Sequence, residues 1–211
     1  MHIEQIPETA AWAIPGLTRL EYVSPVDGWK DWALLAEPAT GCDDWVVMIH
    51  GHGSAGNQLF VRPDLRDTWL PLFRREGVGL LTLHLRGNAW MSPAAAEDLT
   101  ALLVWLRRLH PLARFILASG SMGGTSNLIY AAVHPEQVQG VIALCPATDL
   151  ADYLAWCRGR TPPVLREIEA AIRSAYGGGP EDQPAVYRRH SAVAQARALT
   201  MPVVVAHAEA D

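Results

Sequence analysis

The sequence predicts an α/β protein built on a doubly wound, mostly parallel sheet with flanking helices. Short apolar runs alternate with amphipathic stretches along most of the chain, the pattern of strands joined by helical crossovers. Several of these runs are continuously apolar rather than alternating, as in strands covered on both faces. With 211 residues, half of them hydrophobic, the chain can bury one full core, so a single domain spanning 1–211 is expected.

Taken in order, Thr18 to Val23 and Trp32 to Leu35 flank the turn-rich Ser24-Pro25-Val26-Asp27-Gly28 and read as an antiparallel opening hairpin. Trp45 to Ile49 reads as a strand buried on both faces, followed directly by a glycine-rich loop. A helical pattern interrupted by prolines runs from about Asp64 to Glu76, and Gly77 stops it. Val78 to Leu83 makes the next strand. Ser92 is placed as an N-cap before Pro93, and Leu99, Leu102, Leu103, Leu106 and Leu109 then recur at helical spacing. Phe115 to Ala118 is the central strand, Gly124 to Val133 the helix behind it, Val141 to Leu144 another strand and Met201 to Ala206 the last. Between these two strands, 147–200 is longer than an ordinary crossover. Thr161-Pro162 opens a helix bearing Leu165, Ile168 and Ile172, and Gly177-Gly178-Gly179-Pro180 ends it. The segment is expected to form a small helical cap that shapes a substrate pocket at the carboxyl ends of the strands.

Composition excludes some classes of partner. A net charge of -5, a pI near 5.9 and 17 Lys+Arg without a cluster provide no field for nucleic acid or an anionic membrane. The N-terminus carries early acids and neither a basic start nor a long apolar run, so a cytoplasmic protein is expected. Cys42, Cys145 and Cys157 form no C-x-x-C spacing and read as reduced, structural thiols.

The chemistry concentrates in Ser119-Gly120-Ser121-Met122-Gly123-Gly124, where an apolar strand gives way to a helix. A serine hydroxyl becomes a nucleophile only when the backbone holds it out towards a base, and the sharp turn that does so accepts small residues two positions either side. Ser119 and Gly123 fill those positions around Ser121. A frame centred on Ser119 itself would put Leu117 in a small position, which makes Ser119 the weaker nucleophile. His50 and His52 form an H-x-H pair, but Ser54 stands where a metal-binding acid would follow, so no metal is assigned. His110, His134 and His190 read as helix-end or surface residues.

Three stretches together, Val47-Met48-Ile49-His50-Gly51-His52-Gly53, the Ser119 to Gly124 run and Met201-Pro202-Val203-Val204-Val205-Ala206-His207-Ala208-Glu209-Ala210-Asp211, resemble the α/β-hydrolase superfamily. The likeness is greatest to its prolyl-oligopeptidase-like and bacterial esterase-like branch. That resemblance implies a serine hydrolase cleaving carboxylic esters through an acyl-enzyme on Ser121, without a cofactor. Met122 and His52 would donate backbone N–H groups to the oxyanion, and Asp211 would orient the catalytic histidine, with Asp149 the alternative acid. His207 would serve packing. In this superfamily the histidine follows the acid, so the chain is expected to continue past Asp211. As written, its uncovered last strand is expected to leave it poorly soluble or oligomeric. A peptidase of the same fold and a non-catalytic scaffold are the alternatives, and the partner is a small-molecule ester or peptide.

Overall fold

A computed structural model describes residues 1–209. Eight strands form one sheet in the order β1-β2-β3-β5-β4-β6-β7-β8. β1 (His2–Pro7), β2 (Thr18–Val23) and β3 (Lys30–Ala36) are antiparallel neighbours, and β3 pairs antiparallel with β5 (Gly79–Leu83). From β5 onward the neighbours are parallel: β4 (Asp44–Ile49), β6 (Arg114–Gly120), β7 (Gly140–Leu144) and β8 (Val203–Ala206). Parallel strands need helical crossovers, and these place helices on both faces.

The pleat divides the core in two. Along β4, Trp45, Val47 and Ile49 face one apolar cluster, while Val46 and Met48 face the other. The first cluster contains α4 (Pro93–Leu109) and α5 (Met122–Val133), together with α6 (Leu150–Cys157), α7 (Pro163–Tyr176) and α8 (Pro184–Arg189). The second packs the short helices α1 (Gln58–Val61), α2 (Pro63–Arg66) and α3 (Trp69–Glu76) through Leu59, Phe60 and Leu70. Leu99, Leu102, Leu103 and Leu106 of α4 are all 0% exposed, each contributing about 1.5–3 kcal/mol by burial.

Several expectations change in detail. Leu109 does not complete the α4 stripe: it is the last residue of the helix and is 50% exposed. Ser92 does occupy the N-cap position of α4, but its side chain makes no capping bond. The proline-interrupted segment from about Asp64 to Glu76 is two helices rather than one, α2 ending at Arg66 and α3 starting at Trp69, and α1 precedes them, set apart by Arg62, which Pro63 leaves extended. β1, α6 and α8 are elements that the pattern does not reveal.

Candidate active site

Ser121 stands between β6 and α5 with φ 56° and ψ -127°, in a region a non-glycine residue enters only under constraint. Three contacts impose the conformation. The Ser121 N–H donates to Leu144 O at 2.8 Å, its carbonyl accepts from Thr125 N–H at 2.9 Å, and Gly123 brings α5 against the end of β4. A methyl group on Gly123 would lie 2.0 Å from Ile49 O. The turn leaves the Ser121 side chain exposed while its helix is buried.

All six described non-glycine residues with positive φ lie in loops that leave the carboxyl ends of three mutually parallel strands: Leu85, Arg86, Trp90 and Met91 after β5, Ser121 after β6 and Cys145 after β7. Such strain gathers at functional sites, and its clustering here marks one end of the sheet. A cavity of about 370 Å³ opens there, lined in part by Gly51, Gly120, Ser121 and Cys145. Its remaining wall comes from Met48, Leu144 and the α1–α3 segment: Gln58, Arg62, Asp64, Leu65 and Trp69. No residue of 147–200 lines it.

Met122 occupies the first turn of α5, where N–H groups have no partner inside the helix and the helix dipole favours negative charge. Among the described residues neither the Met122 N–H nor the His52 N–H has a protein acceptor. The loop carrying His52 is held on both sides: Gly51 N–H donates to Gln58 Oε1 at 3.0 Å and Gly53 N–H to Asn88 Oδ1 at 2.9 Å. Trp90 Nε1–H donates to His52 Nδ1 at 3.3 Å, which selects the tautomer protonated at Nε2. Burial lowers the His52 pKa, with Glu167 opposing.

The other histidines have structural roles. His50 is 1% exposed, its Nδ1 lies 2.8 Å from Gly51 O and its Nε2 3.0 Å from His84 O, and burial lowers its pKa. Among the described residues no group of His, Cys, Asp or Glu is arranged to hold a metal ion. His190 ends α8, as a helix-end residue should, but it is not at the surface: it is 4% exposed with Nδ1 2.9 Å from Met91 O.

Ser119 is fully buried and its Oγ accepts from Ile49 N–H at 3.0 Å, which commits it to joining β4 and β6. Asp149 is likewise occupied: Oδ1 caps α6 through Ala151 N–H and Asp152 N–H, and Oδ2 accepts from Ser191 Oγ–H at 2.6 Å. Asp211 lies outside the described residues. Among those described, no imidazole hydrogen-bonds Ser121 Oγ.

Sequence reasoning missed Gln58, Arg62, Leu65, Trp69 and Trp90. The one available signal was a polar residue, Gln58, set among apolar neighbours just after the glycine-rich loop.

Behind this site, Arg86 ties the opening hairpin to the loop after β5. Its guanidinium donates to both Asp27 oxygens at 2.8 Å, to Asp98 Oδ2 at 2.6 Å and to Ser24 Oγ at 2.7 Å, and its N–H donates to Asp31. Asp98 is fully buried, and these bonds, with the one from Ser24 Oγ–H at 2.5 Å, are what make its charge tolerable there.

Known structures share the architecture. A fluorophosphonate-binding serine hydrolase of Staphylococcus aureus superposes with a TM-score of 0.64 at 12% identity, over 90% of this chain and 78% of that one. A protein described as a dipeptidyl aminopeptidase IV from Bacteroides ovatus gives 0.65 at 16%, over 90% of this chain but only 27% of that one. An acetyl xylan esterase from Paenibacillus gives 0.61 at 15%, over 99% and 82%. At such identities the likeness is one of fold. Comparison with curated proteins returns no match. The sequence profile of the alpha/beta hydrolase fold matches residues 44–158, which hold β4 to β7 and the Ser121 turn, and the chain therefore belongs to the α/β-hydrolase family.

Proposed function

We propose that this chain is a serine hydrolase that cleaves carboxylic esters through an acyl-enzyme on Ser121. The observation that carries the reading is the strained, exposed Ser121 at the strand-to-helix turn, opening onto a cavity of about 370 Å³. Ser121 Oγ attacks the ester carbonyl, its proton passes to a histidine oriented by Asp211, and the C–O bond to the leaving alcohol breaks as that proton is returned to the alcohol. Water then repeats the sequence on the acyl-enzyme and releases the acid. The tetrahedral oxyanion falls to the Met122 and His52 N–H groups, which have no other acceptor among the described residues. No step in this scheme needs a cofactor.

Similar structures include both an acetyl xylan esterase and a Pyrococcus horikoshii acylaminoacyl peptidase, so ester and peptide turnover are read side by side. A fluorophosphonate probe read by intact mass tests the reading. One adduct that is lost in Ser121→Ala, together with p-nitrophenyl ester turnover lowered at least 10³-fold in that variant, supports it. Absence of an adduct overturns it in favour of a scaffold without a working catalyst. An adduct with peptide but no ester turnover favours the peptidase.

A further inference from the structure

Gln58 is 5% exposed, and its Oε1 is taken by the Gly51 N–H at 3.0 Å. The bond to its oxygen sets which end of the carboxamide is the acceptor and leaves the NH₂ group as the donor at the other. Among the described residues Nε2 has no acceptor, and it is not one of the buried atoms sealed off without a partner. The open space that Gln58 borders is the cavity it shares with Ser121. A ligand that displaces solvent from this end of the cavity must offer that donor an acceptor or leave it unmet.

The rest of the wall restricts what that something is. Met48, Leu65, Trp69 and Leu144 are apolar. The two charged side chains neutralise each other, Arg62 Nη2 donating to Asp64 Oδ2 at 2.6 Å and Nε to Oδ1 at 3.1 Å. That pairing holds the Asp64 carboxyl below its usual range and raises the Arg62 guanidinium, and the two together present little net charge to the cavity.

We propose that this cavity is a binding subsite for a neutral, mostly apolar group bearing one hydrogen-bond acceptor, and that Gln58 Nε2 is the donor that recognises it. The proposal rests on the Ser121 reading only for what the bound group is attached to: an ester whose acyl or alcohol part carries an ether, hydroxyl or carbonyl oxygen.

The test separates the two. Cyclohexanone and methylenecyclohexane have the same shape, and only the first has an acceptor. Both are titrated into the full chain carrying ¹⁵N in its glutamine side-chain amides. Cyclohexanone is expected to shift the Gln58 amide protons downfield and to bind about fivefold more tightly than its isostere, the worth of one neutral hydrogen bond. Gln58→Glu keeps an acceptor for Gly51 N–H but loses the donor. It is expected to weaken cyclohexanone about fivefold while leaving methylenecyclohexane unchanged. An unmoved Gln58 signal, equal affinity for the pair, or no cyclohexanone binding overturns the proposal. If Gln58→Glu fails to fold, the comparison in the wild-type chain still decides it. Cavity binding without a fluorophosphonate adduct would sink the hydrolase reading and leave the subsite standing.

Discussion

A methyl group has no place at Gly123, since it would meet Ile49 O at 2.0 Å and Ser119 Cβ at 2.8 Å. Both obstacles are rigid, one a strand carbonyl and the other a fully buried side chain. Gly123→Ala is therefore expected to cost about 3 kcal/mol or more, and to abolish any Ser121 labelling by pushing α5 away from β4. Urea unfolding followed by circular dichroism measures the first effect. Ser119→Ala is gentler: it orphans the Ile49 N–H inside the sheet, at about 1–3 kcal/mol. Sequence reasoning saw Ser119 as a small residue standing in for glycine. It could not see the bond that its hydroxyl makes, because the partner is 70 positions away and only the sheet order brings the two together. His190 shows the same limit: its place at a helix end is local, whereas its burial against Met91 depends on the packing of α7 and α8.

Between elements, the loop after β5 carries four of the six described non-glycine residues with positive φ and is clamped from above by the helical segment. Tyr176 Oη–H lies within hydrogen-bonding reach of Trp90 O at 2.9 Å and Met91 O at 3.2 Å, and Trp90 in turn reaches His52. Tyr176→Phe leaves the Trp90 carbonyl unpaired, while Met91 O keeps His190 Nδ1 at 2.9 Å, so it is expected to lose about 1–2 kcal/mol. Amide exchange should accelerate over residues 85–92 more than in β4 or β6, and uniform acceleration would mean that the clamp is not local. Helices α4 and α7 were legible because each carries an apolar stripe at helical spacing. β1 was not, since all but one of its residues are exposed and no alternation marks it. α8 has only 6 residues, too few to establish a period.

Across the molecule, acid is the expected weakness. Burial lowers the pKa of both His50 and His190 below the ordinary 6.5, so the unfolded chain binds protons at these positions that the folded chain does not. Stability from this source is complete above pH 6.5 and is lost as the pH falls through that value towards the folded-state pKa values. Thermal midpoints should therefore drop between pH 7 and 5, and His190→Asn should flatten that slope. The alternation of strand and helix made the sheet legible as parallel and two-faced, but not the exchange of β4 and β5 in its order, because hydrophobicity says that a strand is buried and not beside which neighbour. The same holds for the cavity: its walls belong to 58–69 and to strand ends, not to the segment 147–200. The proposed binding surface and the helices of 147–200 thus reside in separate stretches of chain. A lineage can therefore exchange one for a foreign version while inheriting the other unchanged.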